Sequence, residues 1–280
     1  MNPECVNISA NAVAHIITQS RHGGGTWMPP SDFHFTAAGY SVALAEAEIA
    51  PFADHLPFAF QHKEKGWQAV GIFGDHQNGN ACLTPAGQWR AGYIPAAFRG
   101  YPFTITEGEE AQLAILESAE LLSGGYDGKA FFDESGNLAP LLEQTRDFLI
   151  KIRQGKQRLS IAIQELDTCG LLVPWNKLSG HVQAPEDLPP LYGIDEHRLK
   201  ALPDNNYIRL RWANAISLAY AQLHSQRKLE NLARLRQAQP PQADAATAGP
   251  GAGAATAGLT QGNEILALMN EELNRMNEEG

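Results

Sequence analysis

The stretch "FFDESGNLAPLLEQTRDFLI" (131–150) decides the fold, because two periodicities meet in it. Before it, apolar residues recur at every second position, the rhythm of strands; after Leu138 they recur every 3.6 residues. "DESG" is turn chemistry. Leu138, Leu141, Leu142, Phe148, Leu149 and Ile152 then mark one helix face. Leu159, Ile163 and Leu166 continue that face past Gly155, and Gly170 is its expected end.

Upstream, "LPFAFQHKEKGWQAVGIFG" (56–74) reads as a hairpin with arms Pro57–His62 and Trp67–Phe73, turning at "KEKG". "FHFTAAGYSVAL" (33–44) alternates as a strand, "NACLTPAGQWRAGYIP" (80–95) as a second hairpin, and "AQLAILES" (111–118) as a further strand. Residues 1–32 read as a loose lead-in. In it "ISANAVAHIITQS" suits a short helix, and "HGGGTWMPPSD" breaks regular structure.

Downstream, "LVPW" is followed by an irregular loop around "SGHVQAPEDLPPLYGID". Asp195 is expected to cap "EHRLKAL", and Asp204 a long helix over 205–237. The apolar stripe of that helix is Trp212, Ile216, Ala219, Tyr220 and Leu223. Composition then shifts. Residues 238–262 are mostly Ala, Gly, Pro and Thr, the makeup of a disordered tether with a reach of roughly 25–30 Å. Residues 263–280 follow as an acidic amphipathic helix with a seam of Leu266, Met269, Leu273 and Met276. The class implied is α+β: an antiparallel, sheet-rich half (33–137), a helical half (138–237), the tether and the terminal helix.

Apolar residues make up 44% of the 280, enough for a core. A net charge of −10 disfavours nucleic acid and anionic lipid as main partners. "SQRKLENLARLRQ" (225–237) reads as the polar face of a helix rather than a basic patch. Cys5, Cys82 and Cys169 are too scattered for a disulfide framework or a metal knuckle, and Cys169 reads as a core residue. The N-terminus lacks the basic start and apolar run of a Sec leader, and no apolar run of about 18 residues spans a membrane. The default compartment is the cytoplasm, although signal-less export leaves no mark in a sequence.

Candidates for chemistry are weak. His55, His62 and His76 lie near Asp54 and Asp75, but their spacing fits no metal motif, and they read as surface residues. His22 beside three glycines resembles an oxyanion-hole loop, but no G-x-S-x-G elbow accompanies it, so it reads as flexible linker. "GIFGDHQNGNA" misses both phosphate-binding glycine patterns, and Glu109 and Glu110 read as solvated turn acids. No catalytic residue, metal ligand or cofactor is assigned.

The densest aromatic stretch is "QWRAGYIPAAFRGYPFTI" (88–105). The two prolines fix φ and remove amide donors, which marks an edge strand or a corner. Arg99 lies between Phe98 and Tyr101, where its guanidinium can stack on a ring while its fork reaches carbonyls or a carboxylate. Two readings stay open: a clamp packing strands against the helical half, or a ligand groove lined by the same rings.

"WRAGYIPAAFRGYPFTI", with "LPPLYGIDEHRLKALPD" and "LAYAQLHSQRKLENLARL", resembles the SapC family of bacterial proteins. The family pattern W-x-x-x-Y-I-P-x-x-x-R-x-Y-P-F is met by Trp89, Tyr93, Ile94, Pro95, Arg99, Tyr101, Pro102 and Phe103. "LPFAF" (56–60), "FFDESGN" (131–137), "LLEQTRDFL" (141–149) and "GLLVPW" (170–175) support it in order. The resemblance covers about 40–235 and leaves out the first forty residues, the tether and the terminal helix. It implies a surface-layer or cell-envelope accessory protein acting by binding, with no catalytic residue to carry over. Members near halogenase-like genes suggest an alternative, a cytoplasmic peptide- or metabolite-binding partner of an oxidoreductase; an enzyme of unrecognised type is the remaining one. The terminal seam points to a protein partner or to self-association.

The tether composition makes a direct prediction. Limited proteolysis with a broad protease is expected to cut between Gln239 and Gly262 and to leave a 1–238 fragment with an unchanged melting temperature. Resistance of that region would show that it docks elsewhere on the chain.

Overall fold

The computed structural model describes residues 13–108, 110–116, 128–175 and 190–238. The tether, the terminal seam and Cys5 lie outside them. In chain order the strands are β1 (Ala14–Ile16), β2 (Thr26–Trp27), β3 (Ser41–Ala43), β4 (Phe58–Lys63), β5 (Gly66–Ile72), β6 (Gly74–Asp75), β7 (Gly79–Asn80), β8 (Phe103–Ile105), β9 (Leu113–Leu116), β10 (Lys129–Ala130), β11 (Leu172–Pro174) and β12 (Leu191–Ile194). The helices are α1 (Gln19–His22), α2 (Ile49–Ala53), α3 (Ala96–Arg99), α4 (Pro140–Thr168), α5 (Glu196–Lys200), α6 (Asp204–Trp212), α7 (Ala215–Ser225) and α8 (Leu229–Gln237). Antiparallel sheets dominate the N-terminal half and helices the C-terminal half, the α+β class that the sequence implies. Among the described residues no helix is long and apolar enough to cross a membrane.

The chain divides into two units. The first holds residues 34–95 and the described residues after Arg153. Its centre is a five-stranded antiparallel sheet in the order β11-β12-β4-β5-β3. β4 and β5 form the expected hairpin, in register from Phe58↔Gly71 to Lys63↔Gly66. Gly66 sits at φ +115°, a conformation L side chains rarely adopt, which is why glycine closes this turn. Phe58 and Phe60 are fully buried on the same face of β4, with rings edge to face at 5.8 Å.

Two strands of this sheet come from the C-terminal half. "LYGI" (191–194), read from the sequence as part of an irregular loop, pairs with β4 through Tyr192↔Phe60 and with β11 through Leu172↔Ile194. α7 packs on this sheet with Ala215, Leu218, Ala219, Gln222 and Ser225 buried. Gln222 is fully buried; its Nε2 donates to the Phe58 carbonyl at 3.3 Å and its Oε1 accepts from the Ile194 amide at 3.0 Å. Ser225 Oγ accepts from the Phe58 amide at 3.3 Å and donates to the Gln222 carbonyl at 2.8 Å.

α4 starts with Pro140 in its first turn and ends at Gly170, φ +68°. There the Leu171 amide reaches the Leu166 carbonyl at 3.0 Å and the Gly170 amide the Asp167 carbonyl at 2.8 Å, a Schellman closure. Gly155 passes mid-helix because a Cβ there would stand 3.2 Å from Ala45 Cβ and the Glu46 amide. Asp195 caps α5, accepting from the His197 and Arg198 amides at 3.0 and 3.1 Å.

Several expectations need correction. The long helix over 205–237 is broken: Asn214 adopts φ +54°, and a 3-10 turn, Gln226–Lys228, separates α7 from α8. Asp204 is the first residue of α6, whose cap position is Pro203, with no side-chain cap bond. The break at Asn214 interrupts the helical phase, so of the expected stripe Ala219 is buried and Ile216 and Leu223 are half-buried, but Trp212 and Tyr220 are not. Trp212 is 85% exposed and Tyr220 51%. Of residues 33–44 only Ser41–Ala43 is strand, after a 3-10 turn at His34–Thr36. The second hairpin is reduced to one bridge, Leu83↔Trp89. Cys169 is half-buried rather than core.

The second unit holds the described residues of 13–33 and 96–153. It carries a three-stranded sheet, β1-β9-β8, and the pair β10-β2. Inside the stretch read as a lead-in, residues 14–16 form β1, in register with β9 through His15↔Ile115, rather than a helix. His22 is 4% exposed, with Nδ1 accepting from the Thr18 amide at 3.2 Å and its ring 5.0 Å from Phe131, so it is packed rather than linker. Trp27 is buried edge to face on Phe103 at 4.7 Å.

Gln222→Leu keeps most of the volume but leaves the Phe58 carbonyl and the Ile194 amide without their partner. It is expected to cost about 2–4 kcal/mol in urea unfolding, because each buried orphan carries its desolvation penalty. A wild-type midpoint would show that water or a neighbour replaces the amide.

Candidate functional site

The segment 88–105 crosses from the first unit into the second after Pro95. On its first side, a tight turn with Gly87 at φ +77° brings the chain back at Trp89. The Trp89 indole donates to the Tyr93 carbonyl at 2.8 Å, so residues 89–93 close into a loop. Its ring lies edge-on to Phe73 at 5.7 Å. The Tyr93 hydroxyl donates to Glu48 Oε1 at 3.4 Å, and Glu48, 1% exposed, accepts the Ala45 amide on Oε2 at 2.8 Å. Pro95 is buried.

Arg90 adds a tie that the sequence reading missed. Its Nη2 donates to the Ala81 and Leu235 carbonyls, both at 2.8 Å, joining this loop to α8 across 145 positions. Nothing local marks it, because the acceptors are backbone atoms far away in sequence. The same argument covers the tie from Glu48, an acid in the helix-like run "AEAEIA", to the Tyr93 hydroxyl 45 positions away.

On the second side, α3 carries Arg99, 4% exposed, with its guanidinium carbon 5.3 Å from the centre of the Phe148 ring. The sequence reading placed Arg99 against Phe98 or Tyr101; the ring it covers belongs to α4. Tyr101–Pro102 is a cis peptide. Pro102 is buried and accepts the Leu116 amide at 2.9 Å, and Phe103 begins β8, an edge of its sheet, opposite Ile115. Tyr101 is half-buried.

Within the segment the Trp89 indole and Arg90 Nη2 are bonded to backbone and the Tyr93 hydroxyl to Glu48, while Arg90 Nε is buried without a hydrogen-bond partner among the described residues. His55, His62 and His76 are exposed, and among the described residues no three His, Cys, Asp or Glu gather to hold a metal.

A family model, SapC, matches residues 17–232. The chain belongs to the SapC family. The match begins at residue 17, so it takes in most of the stretch that the sequence resemblance left out. Comparison with curated proteins and with solved structures finds no match. The SapC pattern residues therefore fall on both units: Trp89, Tyr93 and Pro95 in the first, Arg99, Tyr101, Pro102 and Phe103 in the second.

Cys82 lies under the Trp89 loop, its carbonyl accepting the Arg90 amide at 2.8 Å. Burial pushes its thiol up to about 12, against a smaller opposing pull from Arg90. The raised pKa means the unfolded chain releases this proton first as pH rises. The thiol's contribution is therefore complete below about pH 9 and is lost as pH climbs towards 12. Urea midpoints at about pH 8 and pH 10.5 are expected to fall more steeply for the wild type than for Cys82→Ala. Equal slopes would show that the thiol titrates normally.

Proposed function

We propose that this SapC-family chain is a bacterial surface-layer or cell-envelope accessory protein that acts by binding a protein partner rather than by catalysis. The observation that carries the reading is how the family pattern is used. Trp89 bonds the Tyr93 carbonyl, Tyr93 bonds buried Glu48, and Arg99 lies over Phe148. These groups hold a framework, and a framework serves a protein whose work is done on its surface. The envelope setting comes from the family resemblance, and the partner contact is assigned to the seam of Leu266, Met269, Leu273 and Met276. Methionines make that seam adaptable in shape, and its acidic flanks suit a basic groove.

The test is where the chain resides in its native host. Chaotropic stripping of intact cells is expected to release it together with the surface-layer protein. A variant with Leu273→Glu and Met269→Glu is expected to be lost from that fraction. Recovery of the wild type wholly in the cytosolic fraction would overturn the envelope assignment.

A further inference from the structure

One face of α6 stands in water although it carries large apolar side chains. Trp212 is 85% exposed, Ile208 52% and Tyr207 47%. The opposite side is anchored: Leu210 is fully buried, and Arg209 Nη2 donates to Glu165 Oε1 on α4 at 3.0 Å. Two charges share the outer face with the apolar residues. Asp204 and Arg211, both exposed, lie seven positions apart. At 100° per residue that is two turns, about 10.5 Å along the axis and only about 20° around it, so the pair forms one line down the helix. Tyr207 and Ile208 flank that line on its two sides, and Trp212 continues the Ile208 side. Large apolar side chains gathered on one exposed face mark a contact surface.

We infer that this face of α6 is the contact of a weak two-fold dimer of the chain, in which two copies of the helix pack antiparallel. The order of the charges selects a second copy as the occupant. Turned end for end, the face is its own complement. When Arg211 of one copy stands opposite Asp204 of the other, two-fold symmetry repeats the same pair at the far end. A parallel pairing would instead set Asp204 against Asp204 and Arg211 against Arg211, which is repulsive. The antiparallel register also places the apolar residues. Three positions inward from each charge, Tyr207 of one copy meets Ile208 of the other, twice by symmetry. Trp212 then lies over the start of the other copy's helix, beside Pro203, which is exposed at the cap position. Aromatic residues and arginine are the side chains that such contacts favour.

The size of the face sets the strength of the dimer. At these exposures the three apolar side chains offer on the order of 400 Å² per copy, below the roughly 800 Å² per partner of a standard stable complex. The contact is therefore reversible, with a dissociation constant on the order of 10–100 µM. By mass action the chain is a monomer when dilute and pairs where it is concentrated. The inference uses α6 alone, so it stands or falls independently of the partner proposed for the terminal seam.

The test is sedimentation equilibrium of the full chain from about 5 to about 500 µM, a range in which the wild type is expected to pass from monomer to dimer. Asp204→Arg and Arg211→Asp each place two like-charge pairs in the contact, and each is expected to raise the dissociation constant at least about tenfold. A chain carrying both substitutions restores the two pairs with their signs exchanged and is expected to dimerise again. An equimolar mixture of the two single variants is expected to do the same, because their charges complement only across copies. Trp212→Ala supplies an uncharged reading: it is expected to weaken the dimer at least about tenfold while moving the melting temperature by no more than about 2 °C, since the side chain is exposed. A wild type that stays monomeric throughout would overturn the inference. So would a dimer indifferent to these substitutions, or single reversals that neither the double substitution nor the mixture rescues.

Discussion

The first unit depends on one buried amide. Gln222 donates to the Phe58 carbonyl and accepts from the Ile194 amide, so a single side chain on α7 ties two neighbouring strands, β4 and β12. Ser225, one turn later, takes the Phe58 amide. The backbone of Phe58 thus gives both its polar groups to the helix, at a residue whose ring is fully buried. Buried polar groups left unpaired are costly, so the contact fixes the position of α7 along the sheet as well as its distance. An all-apolar contact would hold α7 against the sheet but let it slide.

This dependence explains what the sequence made legible and what it did not. The β4–β5 hairpin could be read because its signals are local: alternating apolar residues and a glycine at the turn. α4 could be read for the same reason, from about eight turns of apolar spacing that end at Gly170. β12 could not. It has four residues, it follows a proline-rich stretch, and its identity as a strand comes from Phe60 and Gln61, about 130 positions earlier. Gln222 was hidden for a related reason. In "LAYAQLHS" a glutamine looks like surface, and only the backbone groups opposite it make it core.

The helical region after Asp204 shows the opposite failure, in which local signals were read too smoothly. An apolar stripe through Trp212, Ile216 and Tyr220 assumes unbroken helical phase. Asn214 interrupts it with a left-handed residue, a conformation that asparagine tolerates better than most side chains. The phase is then reset, and Leu218 and Gln222 turn inward where Tyr220 was expected. The sequence offered one clue, a run of Asn and Ala between two stretches of helix former, but Asn is common enough in helices that the clue does not force a break.

The family segment was legible as a pattern and opaque as a mechanism. Its prolines correctly suggested a corner and an edge, and Phe103 does open an edge strand. What its aromatic density meant could not be settled from spacing, because a ring that lines a groove and a ring that fills a core have the same one-dimensional signature. The partners show where each side chain sits. A tryptophan whose indole is bonded four residues away, a tyrosine bonded to a 1% exposed glutamate and an arginine over a helix phenylalanine are each held by the fold. Trp212 is the contrasting case. It has the same chemistry and lies outside the pattern, yet it is left in water, where an aromatic side chain of that size contributes nothing to folding. Trp89, Tyr93 and Arg99 of the pattern are thus each packed against partners in their own unit, whereas Trp212, outside the pattern, stands in water.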